Sequence, residues 1–202
     1  MKLLLFRSLW TNGFDPDAAL ADVHTGDYDG IEGPVSAGVL DVLGRSGVPF
    51  MAEVTTGGGY VPTSRAKAAH FDEFRAKVDA ALAASPLIIT ALVGCDAWPL
   101  ALSVEFLGEC HAHCETAGVP LAVETHRSRP TFTPWATAEI LRQLPMLRLT
   151  CDFSHWCCVT ERLVMDEERE VLKLCAAHRR HVHARIGYER GPQVPHPAAA
   201  EY

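Results

Sequence analysis

The chain has 202 residues, of which 48% are hydrophobic and 21% charged, values typical of a globular protein with one sizeable core. We therefore predict a single domain over residues 1–202. The 25 acidic residues outnumber the 18 lysines and arginines, and the resulting net charge of −7 disfavours nucleic acid as a partner. No apolar run approaches the roughly 18 residues of a membrane helix. Seven cysteines without a disulfide framework favour a cytoplasmic location.

Short apolar runs alternate with helical patterns, which is typical of βα units around a parallel sheet. The first run, in MKLLLFRSLW, is interrupted by an arginine and is predicted to be a buried strand, not a signal peptide. The predicted strands cover residues 3–9, 30–33, 49–55, 87–94, 120–126, 147–153 and 181–187. Apolar residues at helical spacing predict three helices, which carry Phe71, Phe74, Val78 and Leu82, then Leu100, Val104, Leu107, His111 and Cys114, then Val164, Val171, Leu172 and Cys175.

Two α/β architectures fit this alternation: an open doubly wound sheet and a (β/α)8 barrel. A G-x-G-x-x-G turn after the first strand would favour the open sheet, and the sequence has none there. The TTGGGY segment at 55–60 follows the third strand instead and is interpreted as a flexible active-site loop. Seven strands can be counted, so a barrel formed by this chain is predicted to lack its eighth βα unit.

Side chains suited to metal binding or acid–base chemistry end five of the predicted strands. They are Glu32, Glu53, Glu124, Asp152 and His183. In a barrel these strand ends converge on one face, where catalytic groups lie. Taken singly, each carboxylate could equally cap a helix or pair with an arginine. The five together favour a functional site.

The ordered set Glu124, Asp152 and His183 offers two carboxylates and one imidazole. These ligands suit Mn²⁺ or Mg²⁺ best, with Co²⁺, Fe²⁺ and Zn²⁺ as alternatives. An ion held in this way polarises a carbonyl and stabilises an enediolate, while a nearby carboxylate moves the proton. The set therefore predicts metal-assisted proton transfer next to a carbonyl.

The segments YDGIEGP, AVETHRSRPTFTP, LTCDFSHW and HVHARIGYERGPQ, with the GGGY loop, resemble the xylose isomerase-like TIM barrels over nearly the whole chain. This superfamily contains sugar and sugar-phosphate isomerases and epimerases. The resemblance implies a TIM-barrel-like fold in which Glu124, Asp152 and His183 bind the metal and Glu124 also acts as the catalytic base. It further implies that His155, three residues after the aspartate, faces the substrate.

Three further residues complete the predicted substrate site. Arg185 lies near the position from which the family contacts substrate hydroxyls, and His126 and Glu32 stand at neighbouring strand ends. Epimerases of the family often carry a second glutamate six residues after the first, and this chain has Pro130 there, between Arg127 and Arg129. The two arginines favour an acidic or phosphorylated sugar as substrate. The alternative is that they are solvated loop residues.

Several alternatives remain open at this stage. The family supplies a fourth ligand, a glutamate after the eighth strand, and its absence before Tyr202 favours a non-catalytic or inactive remnant as the second hypothesis. An enzyme of the endonuclease IV type is a minor third, because it needs more ligands and a basic surface. A barrel with an exposed seam would also favour a homo-oligomer.

The cysteines admit a zinc site, but core packing is the simpler interpretation. Cys151, Cys157 and Cys158 lie near His155 without the paired spacing of zinc ribbons. Cys110 and Cys114 extend an apolar helix stripe and are predicted to pack in the core. His178 and His181 are expected at a helix end and a strand start, respectively.

Overall fold

The computed structural model describes residues 2–186 and residue 198. In these residues seven strands form one sheet in which they follow each other in chain order, and every neighbouring pair is parallel. The strands are β1 (Phe6–Ser8), β2 (Gly30–Gly33), β3 (Phe50–Thr55), β4 (Ile89–Leu92), β5 (Leu121–Glu124), β6 (Leu149–Cys151) and β7 (Arg179–Val182). Each predicted strand is present, so the α/β class is confirmed.

Helices connect the strands, and three of them begin at residues whose side chains cap the helix. The α-helices are α1 (Pro16–His24), α2 (Ala37–Ser46), α3 (Lys67–Ala81), α4 (Leu100–Ala117), α5 (Pro134–Gln143), α6 (Ser154–Thr160) and α7 (Arg169–His178). Asp15 caps α1 ahead of a proline, and Thr133 does the same for α5. Helix α2 begins at the Ser36 cap and ends at Gly47, whose φ of 68° suits glycine.

Four details of the predicted elements were wrong. Strand β1 begins at Phe6, and the three leucines before it are exposed, with Leu3 at 75%. Strand β7 begins two residues earlier than predicted, and residue 187 lies outside the described residues. Val164 belongs to a separate 3-10 turn and not to α7, and Leu82 lies exposed in another. Apolar periodicity therefore found the elements but not all their boundaries, because turns can carry apolar residues as well.

A layer of polar side chains from alternate strands crosses the inside of the sheet. Thr90 on β4 donates to Glu32 Oε1 on β2 at 3.1 Å, and its hydroxyl lies 3.3 Å from that of Thr150 on β6. His181 on β7 closes the layer, since its Nε2 lies 3.1 Å from Glu32 Oε2. Contact between β7 and β2 requires the sheet to curl into a partial barrel. The predicted TIM-barrel-like fold, with seven strands in the described residues, is thus confirmed.

The main apolar core lies between the strands and the helices. It joins strand residues such as Ile89 and Val123 to helix residues such as Phe74, Phe106 and Leu141. The buried cysteines Cys110, Cys114, Cys151 and Cys175 belong to this core, as predicted for the first three. Among the described residues, no helix has the length and apolar character required to span a membrane.

Candidate metal centre

The three predicted metal ligands meet at the carboxyl ends of the last three strands. Glu124 ends β5, Asp152 follows β6, and His183 follows β7. One oxygen or nitrogen atom from each lies within 4.8 Å of the others. Parallel strands place their carboxyl ends at one edge, which explains how residues about thirty positions apart converge.

Threonine hydroxyls fix the strand ends that carry the two acids. Asp152 donates its backbone N–H to Thr125 Oγ1 at 2.7 Å, and this hydroxyl donates to the Asp152 carbonyl at 2.9 Å. The Thr131 hydroxyl donates to the Glu124 carbonyl. Because every one of these groups is buried, the bonds hold β5 and β6 in a defined relation at the site.

The two carboxylate oxygens of Asp152 have different surroundings. Oδ1 accepts hydrogen bonds from the backbone N–H of Ser154, at 3.0 Å, and from its hydroxyl. Oδ2 lies 3.6 Å from His155 Nε2, beyond hydrogen-bond length. Burial raises the pKa of Asp152, and the Ser154 hydrogen bond opposes this shift. One oxygen is therefore used to orient the side chain, and the other faces the cluster.

Glu124 is fully buried, and neither of its oxygens has a hydrogen-bond partner among the described residues. The nearest donors to Oε1 are His183 Nδ1 at 3.5 Å and His155 Nε2 at 3.6 Å, both too long for a well-formed bond. Burial raises the pKa of this carboxyl although the charge of His183 opposes the shift. Buried carboxylates without partners are costly, and a divalent cation would satisfy them. The oxygen and nitrogen donors present therefore fit such an ion.

Glu32 was predicted to bind substrate, but its oxygens are occupied within the barrel. Oε1 lies 3.0 Å from His183 Nε2 and accepts from Thr90, while Oε2 faces His181 Nε2. Burial alone would raise the pKa of Glu32, yet the charges and hydrogen bonds of His183 and His181 hold it well below its usual range. Burial alone would likewise lower the pKa of His183, but the charges of Glu124 and Glu32 raise it.

The role of His181 was missed by the sequence analysis, which predicted only a strand start. Residues 181 and 183 are two apart in an extended segment, so their side chains point to the same face. Both face Glu32, with the two imidazole rings 5.2 Å apart between centroids. The H-x-H alternation was the signal that could have revealed this pair. His178 does end α7, as predicted.

His155 and His126 form a buried pair beside Glu124. Their ring centroids are 3.9 Å apart, and only 1% of His155 is exposed. Burial lowers the pKa of His126 to about 3 and that of His155 to about 2, with the charges of Arg127 and Arg185 acting in the same direction. Both imidazoles are therefore neutral near pH 7. A nitrogen of each lies within 4.8 Å of a Glu124 oxygen, so the two histidines and Glu124 form a second group of possible metal ligands.

A fourth buried acid, Glu53, lies with two aromatic residues at the edge of the cluster. The indole N–H of Trp10 and the hydroxyl of Tyr60 bond to its carboxyl, and the two rings are 4.7 Å apart. Burial and the nearby charge of Glu124 raise the pKa of Glu53 to about 8. Glu53 was recognised as a strand-end acid, but neither Trp10 nor Tyr60 was predicted. Their long-range pairing leaves no local sequence pattern.

Arg129 was predicted to contact an acidic substrate, and the structure contradicts this. The guanidinium is buried and donates to the carbonyls of Thr56 and Gly94 at 2.8 and 2.9 Å, to that of Tyr60 at 3.0 Å and to that of Gly59. Its donors therefore hold the 55–60 loop, which was predicted to be flexible.

The other two arginines near the site, Arg127 and Arg185, are half-buried and exposed, respectively. The charges of both lower the pKa values of His126 and His155.

Comparison with known proteins gives a consistent picture of the fold. No protein-family profile and no curated protein matches the sequence. A D-tagatose 3-epimerase-like protein is 16% identical with a TM-score of 0.68, over 93% of this chain and 78% of its own. The IolI protein, whose structure holds a zinc atom, is 15% identical with a TM-score of 0.69, over 98% and 81%.

Endonuclease IV from Thermus thermophilus also has this fold. It is 12% identical with a TM-score of 0.60, over 95% of this chain and 79% of its own. An epimerase-like protein and an endonuclease thus share one architecture, so the likeness alone does not select an activity. The chain has the fold of the xylose isomerase-like TIM barrels, and the predicted resemblance is confirmed at the level of fold.

Proposed function

We propose that the protein is a metal-dependent isomerase or epimerase that moves a proton on a carbon next to the carbonyl of a small sugar or sugar derivative. The observation that supports this best is the pair of buried Glu124 oxygens without hydrogen-bond partners in the described residues, beside Asp152 and His183. The fold shared with a D-tagatose 3-epimerase-like protein favours a sugar as substrate.

Glu124, Asp152 and His183 would hold the ion. Two oxygen donors and one nitrogen favour Mn²⁺ or Mg²⁺, and Co²⁺, Fe²⁺ and Zn²⁺ are compatible alternatives. When bound, the ion would polarise the substrate carbonyl and stabilise the charge that develops on it. Asp152 would use Oδ2, because Ser154 already occupies Oδ1.

The remaining roles belong to side chains around this centre. Glu124 would accept the proton from the carbon next to the carbonyl. His155 and His126, both neutral, would orient substrate hydroxyls, and Arg185 with Arg127 would favour an acidic or phosphorylated sugar. Glu32 would not contact the substrate, since its oxygens already accept hydrogen bonds from barrel residues.

Metal binding is the first test of this proposal. The wild-type chain reconstituted with Mn²⁺ should retain the ion and gain about 2.7 kcal/mol of stability at a hundredfold excess over Kd. Glu124→Gln and Asp152→Asn should both abolish the retained metal and the gain, whereas Glu115→Gln on the exposed face of α4 should change neither. Unchanged metal content in the first two variants would show that the site is wrong.

Proton transfer is the second test, and it separates the alternatives. The Mn²⁺-loaded protein is incubated in D₂O with ketoses, aldoses and sugar phosphates, and deuterium at the carbon next to the carbonyl is measured by NMR. Incorporation that Glu124→Gln abolishes would support the proposal. Metal binding without exchange of any substrate would favour the inactive remnant. Cleavage of abasic-site DNA would favour the endonuclease hypothesis, which the net charge of −7 disfavours.

A further inference from the structure

His183 lies between two buried carboxylates, and each of them meets a different ring nitrogen. Nε2 lies 3.0 Å from Glu32 Oε1, and Nδ1 lies 3.5 Å from Glu124 Oε1. Only the first distance is that of a good hydrogen bond. The ring is therefore bonded to Glu32 through Nε2 and turns Nδ1 towards the cluster of Glu124 and Asp152.

Glu32 is itself held in place by residues of strands β4 and β7. Thr90 donates to Oε1 at 3.1 Å, and His181 Nε2 meets Oε2 at 3.1 Å. An ionised carboxylate only accepts hydrogen bonds, so an imidazole nitrogen at these distances must carry a proton. For His183 this places a proton on Nε2, so Nδ1 is the nitrogen that would release its proton and bind a metal ion.

We propose that Glu32 is a positioning residue that fixes the orientation of His183 and the nitrogen with which it binds a divalent cation. The inference rests on the proposed function, because it assumes an ion at Glu124, Asp152 and His183. Carboxylates that accept the second N–H of a metal-binding histidine orient the ring and raise its basicity, and their loss typically weakens metal binding 10- to 100-fold.

The same residues could in principle hold a second ion, since donor atoms of Glu32, His181 and His183 also lie within 4.8 Å of one another. The hydrogen bonds argue against this. Both Glu32 oxygens have donors at 3.0–3.1 Å, whereas both Glu124 oxygens have none in the described residues. A buried site built for a cation leaves its oxygens unpaired without the ion, and of these two described glutamates Glu124 is the one that shows this.

Two variants of Glu32 separate positioning from simple charge attraction. Glu32→Asp keeps the negative charge but shortens the reach to His183, and Glu32→Gln keeps the length but removes the charge. We expect both to weaken Zn²⁺ binding 10- to 100-fold in calorimetric titrations, with urea unfolding used to confirm that each variant is folded. Wild-type affinity in Glu32→Asp would overturn the proposal, because charge alone would then suffice.

The wild-type protein provides a test that does not depend on how the variants fold. In protein labelled with ¹⁵N-histidine and loaded with Zn²⁺, we expect the His183 signals to show zinc on Nδ1 and a retained proton on Nε2. Zinc on Nε2 would overturn the proposal. Glu115→Gln, on the exposed face of α4 and away from the cluster, should leave these signals unchanged.

The outcomes also distinguish this inference from the proposed function. If the wild type binds one Zn²⁺ and the Glu32 variants bind it equally well, only the positioning role is wrong. If the wild type binds two ions and the Glu32 variants bind one, Glu32 is a ligand and the proposal is overturned. A wild-type chain that binds no divalent cation overturns the proposed function, and this inference with it.

Discussion

Glu32 and Glu124 are both buried glutamates at strand ends inside the same barrel, and they differ in one respect. The oxygens of Glu32 accept hydrogen bonds from one threonine and face two histidines at 3.0–3.1 Å. Those of Glu124 have no partner at hydrogen-bond distance in the described residues. Two side chains of the same type in one cluster thus have different roles. The carboxylate with hydrogen-bond partners supports the structure, and the one without them lies at the proposed metal site.

The comparison predicts opposite effects of the same substitution on stability. In metal-free protein, Glu32→Gln should lower the free energy of unfolding by about 3 kcal/mol, because a buried hydrogen-bonded charge network is broken. Glu124→Gln should leave it unchanged or raise it, since no hydrogen bond is lost and a buried charge is removed. Urea unfolding in EDTA measures both. Equal destabilisation by the two substitutions would show that the comparison is wrong.

Arg129 extends the comparison to a buried cation, because Nη1 and Nη2 donate only to neutral carbonyl groups and Nε has no hydrogen-bond partner in the described residues. Arg129→Lys should cost about 2 kcal/mol, since a single ammonium cannot reach the four carbonyls that the planar guanidinium contacts. It should also make the 55–60 loop more sensitive to limited proteolysis. Arg127→Lys, two residues away and half-buried, is the matched control and should change stability by less than about 0.5 kcal/mol. Similar losses in both variants would contradict the role assigned to Arg129.

A substitution of Thr90 measures how much stability comes from the one uncharged donor that bonds to Glu32. Thr90→Val keeps the shape of the side chain but removes the hydroxyl that donates to Glu32, and we expect a loss of about 1 kcal/mol in urea unfolding. Thr116→Val removes an exposed hydroxyl that bonds only within its own helix and should have a smaller effect. If the two variants behave alike, the buried layer is not held by Thr90.

The cluster of candidate ligands could be predicted from the sequence because each of them follows a strand. Glu124, Asp152 and His183 each come directly after an apolar run, and the parallel arrangement brings such positions together whatever the exact strand boundaries. The predicted boundaries of β1 and β7 were wrong by several residues, but the predicted cluster did not depend on them. Fold class was predictable for the same reason, since it depends on the alternation of elements and not on their ends.

The side-chain partners could not be predicted, because they depend on distances across the barrel. Glu32 and His181 are 149 positions apart, and Trp10 and Glu53 are 43 apart. Nothing in the local pattern shows that Arg129 points inward to carbonyl groups while Arg127 does not. A residue's type and its place at a strand end predict what it can bind, but only packing decides whether that capacity is already used.

His70, unlike His183, has only neutral hydrogen-bond partners. Its protonation is expected to give the smallest change in stability of those predicted, spread over a range of pH. It is fully buried, with Nδ1 2.6 Å from the Thr56 hydroxyl and Nε2 2.9 Å from the Ser64 carbonyl, so neutral groups surround both nitrogens. Burial lowers its pKa, opposed by the Ser64 hydrogen bond and aided by the charge of Arg129. The unfolded chain therefore takes up the proton first as the pH falls.

The sign of the pH dependence follows from this shift. The contribution of neutral His70 is fully present above the unfolded pKa of about 6.5 and is lost as the pH falls from there towards the lower folded value. Urea unfolding between pH 8 and pH 5 should show the wild type losing stability more steeply than His70→Gln, which cannot titrate at this position. Parallel curves for wild type and His70→Gln would mean that the proton is bound equally in both states, and that burial of the imidazole has no effect on its protonation.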